Sequence, residues 1–115
     1  MTDVLSALRH VLGDDKVRSG DAVNPDDLHD ESLHPEPRVP GAVVRPRTTA
    51  DVVAVTKIAT EFGVPLTPRG SGTGLSGGAK PVTDGIVLSF DAMKAVKSID
   101  VNDHVAVVEP GLTLR

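Results

Sequence analysis

From residue 68 to residue 79 the chain reads Pro68-Arg69-Gly70-Ser71-Gly72-Thr73-Gly74-Leu75-Ser76-Gly77-Gly78-Ala79, and five of its eleven glycines fall within nine residues of this stretch. A backbone without Cβ atoms can bend sharply and come very close to a ligand. Its successive N–H groups can then converge on one hollow and hold an anion. Each such hydrogen bond to a charged oxygen contributes roughly 1.5–3 kcal/mol. Ser71, Thr73 and Ser76 add hydroxyl donors.

The flanks decide where this loop sits. Ala42-Val43-Val44 is a short apolar run of strand type, ended by Arg45-Pro46. Thr49 offers a side-chain oxygen as helix N-cap, with Asp51 in the first, positive turn. Val52, Val55, Ile58, Ala59 and Phe62 recur at helical spacing, and Gly63 can adopt the left-handed conformation that closes a helix. A second strand is expected at Val64-Pro65-Leu66-Thr67. Strand, helix and strand joined by short links form a βαβ unit, whose strands are parallel. The glycine loop therefore leaves the carboxyl end of a parallel strand, where such sheets bind ligands.

Beyond the loop, Ile86-Val87-Leu88-Ser89-Phe90 predicts another strand. Residues 96–101 and 104–109 flank Asn102-Asp103, which tolerate the positive φ of a tight turn, so an antiparallel hairpin is expected, ended by Pro110-Gly111. Before the βαβ unit, Val4, Leu5, Leu8, Val11 and Leu12 predict an amphipathic helix over residues 3–12, stopped by Gly13. Arg9 and His10 give it too little charge for a membrane-surface helix. Residues 13–41 carry eight acidic residues with Pro25, Pro35, Pro37 and Pro40. That proline density predicts an irregular lead-in. His29 and His34 within it match no metal-ligand spacing, and no metal site is expected.

Composition removes several classes. The chain holds 16 acidic and 12 basic residues, a net charge of −4, so nucleic acid is not an expected partner. The absence of cysteine excludes disulfides, thiolate catalysis and cysteine-ligated metal centres. No apolar run reaches the roughly 20 residues that cross a bilayer. Met1 is not followed by a basic and then an apolar block, so a cytoplasmic location is expected. Peripheral membrane association is left open. With two Phe and neither Tyr nor Trp, the core must be aliphatic.

Other spellings compete within the loop. Gly72, Gly74 and Gly77 satisfy the dinucleotide fingerprint G-x-G-x-x-G, but that motif opens a helix, and Lys80-Pro81 and Asp84-Gly85 leave no room for one. A phosphate loop would end Gly-Lys-Ser/Thr, where Ala79-Lys80-Pro81 stands. Gly74, Ser76 and Gly78 spell a serine-hydrolase elbow, with Asp100 and His104 following in order. An elbow lies between an apolar strand and a helix, unlike residues 69–73. A flexible linker fits poorly between two apolar strands.

The stretch from Pro68 to Ala79 resembles the diphosphate loop of FAD-linked oxidases of the vanillyl-alcohol oxidase/p-cresol methylhydroxylase (PCMH) type, nearest to the glycolate oxidase FAD subunit and D-lactate dehydrogenase branch. Val44-Arg45-Pro46 with Thr49-Ala50-Asp51-Val52, Phe62-Gly63-Val64-Pro65-Leu66, Val108-Glu109-Pro110-Gly111 and, less specifically, Asp30-Glu31-Ser32 extend the resemblance over residues 28–115. It implies an α/β (α+β) fold: the first subdomain of a PCMH-type FAD-binding domain, a βαβ unit followed by mixed strands. Residues 1–40 would be an N-terminal helix and acidic lead-in, and residues 41–115 a truncated FAD-binding domain. Leu112, Thr113, Leu114 and Arg115 look like the start of a further element.

By the same resemblance Pro68, Arg69, Gly70, Ser71, Gly72, Thr73, Gly74, Ser76, Gly77 and Gly78 would wrap the FAD diphosphate, with Pro110 and Gly111 close by. Some relatives attach FAD through a histidine in this loop. Thr73 stands there and cannot form that bond, so FAD is expected to be non-covalent. The implied reaction oxidises a 2-hydroxy acid such as D-lactate or glycolate to a 2-oxo acid, with an electron acceptor the sequence does not reveal. No residue here matches the family's catalytic base, substrate arginines or metal-binding histidines. The other reading is a non-catalytic remnant or a nucleotide-binding module.

Overall fold

The computed structural model describes residues 2–28, 38–74 and 78–113. His29, His34, the Asp30-Glu31-Ser32 motif, Leu75, Ser76 and Gly77 lie outside them. The chain runs α1 (Thr2–Leu12), β1 (Val17–Arg18), β2 (Ala42–Val44), α2 (Thr49–Phe62), β3 (Leu66–Arg69), β4 (Ile86–Ser89), β5 (Val96–Asp100) and β6 (Val105–Val108). Short 3-10 turns occupy Asp14–Lys16, Gly20–Ala22 and Pro25–Leu28.

Strands β1 to β4 form one sheet in the order β1-β2-β4-β3. β2 and β3 are parallel as the βαβ pattern requires, but they are not neighbours. β4 inserts between them and is parallel to both, pairing Ile86 with Ala42 on one side and Leu66 on the other. β1 adds an antiparallel edge, with Val17 opposite Val44. The lead-in is thus not wholly irregular: two residues suffice for an edge strand, and the prolines fall outside them.

Helices α1 and α2 cover one face of the sheet. Val4, Leu8 and Leu12 of α1 and Val55, Ile58 and Ala59 of α2 form a single cluster with Val17, Ala42, Val44, Ile86 and Leu88. Val43 and Val87, which alternate with these along the strands, are equally enclosed. Burial on both faces is the normal state of a parallel sheet and explains the unbroken apolar runs of β2 and β4. Phe62, expected on the buried face, is instead exposed at the end of α2.

Two boundaries differ from the sequence expectation for local reasons. The N-cap of α2 is Thr48, not Thr49: its Oγ1 accepts from the Asp51 N–H at 3.1 Å. Gly63 does take the left-handed conformation, at φ 64 and ψ 33. The next N–H, of Val64, is then committed to the Ala59 carbonyl at 2.9 Å. This helix-closing bond delays β3 to Leu66.

Strands β5 and β6 form the expected antiparallel hairpin as a separate two-stranded sheet. Its turn is wider than a two-residue loop, since Asp100 pairs with Val105. Asp100 Oδ1 accepts from the N–H groups of Asn102 and Asp103, both at 3.0 Å. The positive φ falls on His104, at 56°, rather than on Asn102 or Asp103. His104 therefore belongs to the turn and does not begin the strand.

Candidate functional site

The carboxyl ends of β3 and β4 lie side by side, with Arg69 paired with Ser89 and the Phe90 N–H donating to the Arg69 carbonyl at 3.0 Å. The glycine loop leaves from Arg69, and the turn leading to the hairpin leaves from Phe90. After β6 the chain returns to the same edge: the Gly111 N–H donates to the Met93 carbonyl at 2.8 Å, and the Glu109 N–H to the Ala95 carbonyl at 2.9 Å. A Cβ at Gly111 would run into the Phe90 carbonyl and stand 2.8 Å from the Met93 oxygen. Glycine is needed here for backbone-to-backbone approach.

This return creates a cleft of about 590 Å³. Gly70, Ser71 and Thr73 of the loop form one side, and Pro110, Gly111, Leu112 and Thr113 the other. Ser71 Oγ and Thr73 Oγ1 lie 3.2 Å apart. A Cβ at Gly70 or Gly74 would meet nothing within 4 Å. The backbone at these positions faces open space. Gly78 is likewise unobstructed. Among the described residues no helix follows the loop, which turns at residues 78–79 and 83–84 before β4. The dinucleotide fingerprint thus lacks the helix it needs.

Pro68 and Arg69 are the last two residues of β3. The Arg69 side chain, only 7% exposed, is not part of the cleft lining; its Nε lies 3.5 Å from Asp27 Oδ1. Nη1 donates to the Ala79 carbonyl at 3.5 Å and Nη2 to the Asp26 carbonyl. Gly72 takes φ +75, and a Cβ there would collide with the Arg69 guanidinium. Sequence reading missed Asp27, whose one visible signal was its place in an acidic stretch. Burial pushes its carboxyl above the ordinary 3.8, against the pull of Arg69.

The amino end of α2 carries a second polar group. Asp51 Oδ2 lies 3.0 Å from Lys16 Nζ and accepts the Arg47 N–H at 3.0 Å. Burial opposes its charge, but these hydrogen bonds and the Lys16 ammonium outweigh it and hold the carboxyl below the ordinary range.

A largely parallel sheet, a glycine loop leaving its carboxyl edge and a second segment lining the same cleft define an α/β ligand-binding module. Residues 40–115 match the family model described as FAD binding domain. The chain belongs to this family of PCMH-type FAD-binding oxidoreductase domains, homologous to glycolate oxidase and D-lactate dehydrogenase, and its cofactor is FAD, held non-covalently. A Mycobacterium tuberculosis protein named as an FAD-linked oxidoreductase is 41% identical over 114 residues, covering 99% of this chain and 25% of that protein. A probable mitochondrial D-lactate dehydrogenase of Danio rerio is 39% identical over 112 residues, covering 97% of this chain and 22% of that protein. The solved structure of p-cresol methylhydroxylase with substrate bound superposes with a TM-score of 0.79 at 29% identity, over 97% of this chain and 22% of that one. Alkyldihydroxyacetonephosphate synthase, at 17% identity and a TM-score of 0.83, shares the fold. The chain thus spans about a quarter of the length of the first curated relatives it matches. Among the described residues, no helix is long and apolar enough to cross a membrane.

Proposed function

We propose that the chain forms the diphosphate-holding part of the FAD site in an oxidoreductase that converts a 2-hydroxy acid of the D-lactate or glycolate type to its 2-oxo acid. The observation that carries this reading is the single cleft shared by Gly70, Ser71 and Thr73 with Pro110 and Gly111. Backbone N–H groups of the loop would bind the diphosphate oxygens, and the Ser71 and Thr73 hydroxyls would add donors. Gly72, Gly74 and Gly78, with Ser76 and Gly77 by sequence, would keep the backbone within reach of the ligand. Pro68 and Arg69 lead into the cradle. When bound, the flavin supplies an acceptor for the hydride equivalent leaving the substrate α-carbon. The names of the D-lactate dehydrogenase and glycolate oxidase relatives support the substrate class. A cytoplasmic location and a domain beginning at residue 41 belong to the same proposal, although α1 and β1 share the core of that domain.

The natural full-length protein should be yellow, release FAD on acid precipitation, and reduce a dye acceptor with D-lactate or glycolate. A protein that takes up no FAD overturns the whole reading. One that binds FAD but oxidises no 2-hydroxy acid overturns the substrate class and favours a nucleotide-binding module. Gly70→Ala should weaken FAD binding about ten-fold while the protein stays folded, because the new Cβ meets no protein atom within 4 Å and competes only with the ligand.

A further inference from the structure

We infer that Asp27 and Arg69 are positioning residues for the glycine loop, holding its backbone in the binding shape without touching the ligand. This rests on the reading of the loop as a flavin site. The geometry has three parts. The Arg69 guanidinium joins segments far apart in sequence: the turn at Pro25–Leu28 through the Asp26 carbonyl and Asp27, and the far side of the loop through the Ala79 carbonyl. Arg69 is buried, with a side-chain exposure of 7%, and Asp27 is partly buried, at 20%. Finally, Gly72 packs directly against the guanidinium in a left-handed conformation. A free arginine could swing away from an added Cβ, but this one is held by Asp27 and two carbonyls. Glycine at 72 is therefore demanded by its positive φ and by the arginine.

Asp27 stands among several charged groups from the neighbouring elements. Arg18 from β1, Arg45 after β2, Arg69 from β3 and Asp91 after β4 all act on its charge. Arg45 is already held by Asp91, at 2.7 Å. Loss of the Asp27 charge removes the ion pair from this tie. Burial raises the Asp27 pKa above 3.8, so acidification neutralises it before an ordinary carboxylate and should weaken FAD binding with a midpoint above that value.

The test uses the natural protein stripped of flavin, with the variants Asp27→Asn, Asp27→Glu and Gly72→Ala. Asp27→Asn should raise the FAD dissociation constant about ten-fold, and Gly72→Ala should do the same by displacing Arg69. Asp27→Glu should recover most of the loss. In the flavin-free protein, amides of residues 70–74 should exchange faster in Asp27→Asn while those of β4 keep their protection. The acid-side loss of FAD affinity should disappear in Asp27→Asn. Unchanged affinity and unchanged exchange at residues 70–74 overturn the inference, as does a loss of protection spread evenly over β4. If the parent protein takes up no FAD, the flavin reading fails, while the exchange comparison still decides whether the pair shapes the loop.

Discussion

Strand β6 of the second sheet is as apolar as β2 and β4 of the first, yet it stands in opposite surroundings. Every residue of β2 and β4 is buried, whereas every residue of β5 and β6 is exposed, with Ile99 at 70% and Val105 at 51%. β4 has a parallel partner on each side and a helical layer above it. Among the described residues the hairpin is held by its internal register, the Asp100 turn, the backbone ties of residues 109–111 to residues 93–95 and the Ala95 N–H donating to Glu109 Oε1 at 2.9 Å. Two-stranded hairpins are marginal on their own. An apolar strand therefore marks capacity for burial, and the neighbours decide whether that capacity is used.

The sharpest way to break this contrast is a matched pair of truncations. Ile86→Ala in β4 should cost about 4 kcal/mol, because the cavity is sealed on both faces. Ile99→Ala in the hairpin should change stability by less than about 0.5 kcal/mol. Urea unfolding of the natural protein measures both, and equal losses would mean that the hairpin is covered. Next in size is Gly111→Ala, which attacks the join between the two regions. Its Cβ meets the Phe90 carbonyl, and the expected cost is about 3 kcal/mol, with FAD retention lost alongside.

Smaller effects concern how the buried region is anchored. Thr48→Ala removes the cap of α2 and should cost about 1 kcal/mol by urea unfolding. The pH dependence of Asp51 should be weaker still. Its pKa is lowered in the fold, so its stabilisation is complete above 3.8 and is lost as pH falls below that value through the folded pKa. Asp51→Asn should flatten this acid-side slope in thermal melts; a slope unchanged by the substitution would assign it to other carboxylates.

The parallel sheet was legible because its signals are local. Apolar periodicity located α2, and Gly63 closed it. The order β1-β2-β4-β3 was not legible, since pairing between Val43 and Val87 is set across more than forty residues with no local mark. Thr48 and Thr49 are chemically alike, and only backbone geometry picks the cap. In the loop, glycine density gave the place of the cleft and, with Pro110 and Gly111, its second wall. It could not separate glycines that face open space, such as Gly70, from Gly72 and Gly111, which make room for other parts of the protein. The Asp27 partnership was hidden for the same reason: 42 residues separate it from Arg69.

The position of β4 bears on the order in which the molecule can assemble. β2 and β3 emerge first during synthesis but make no hydrogen bonds to each other, so neither has a parallel partner until residues 86–89 arrive. Long-range parallel pairing of this kind is slow to form. The glycine loop is the connection that carries the chain from the end of β3 back to the start of β4. A nascent chain that stops short of Ile86 thus has the loop sequence but no sheet edge to shape it. Completion of the sheet thus fixes where the loop's side of the cleft stands, and the later return of residues 110–113 supplies the other.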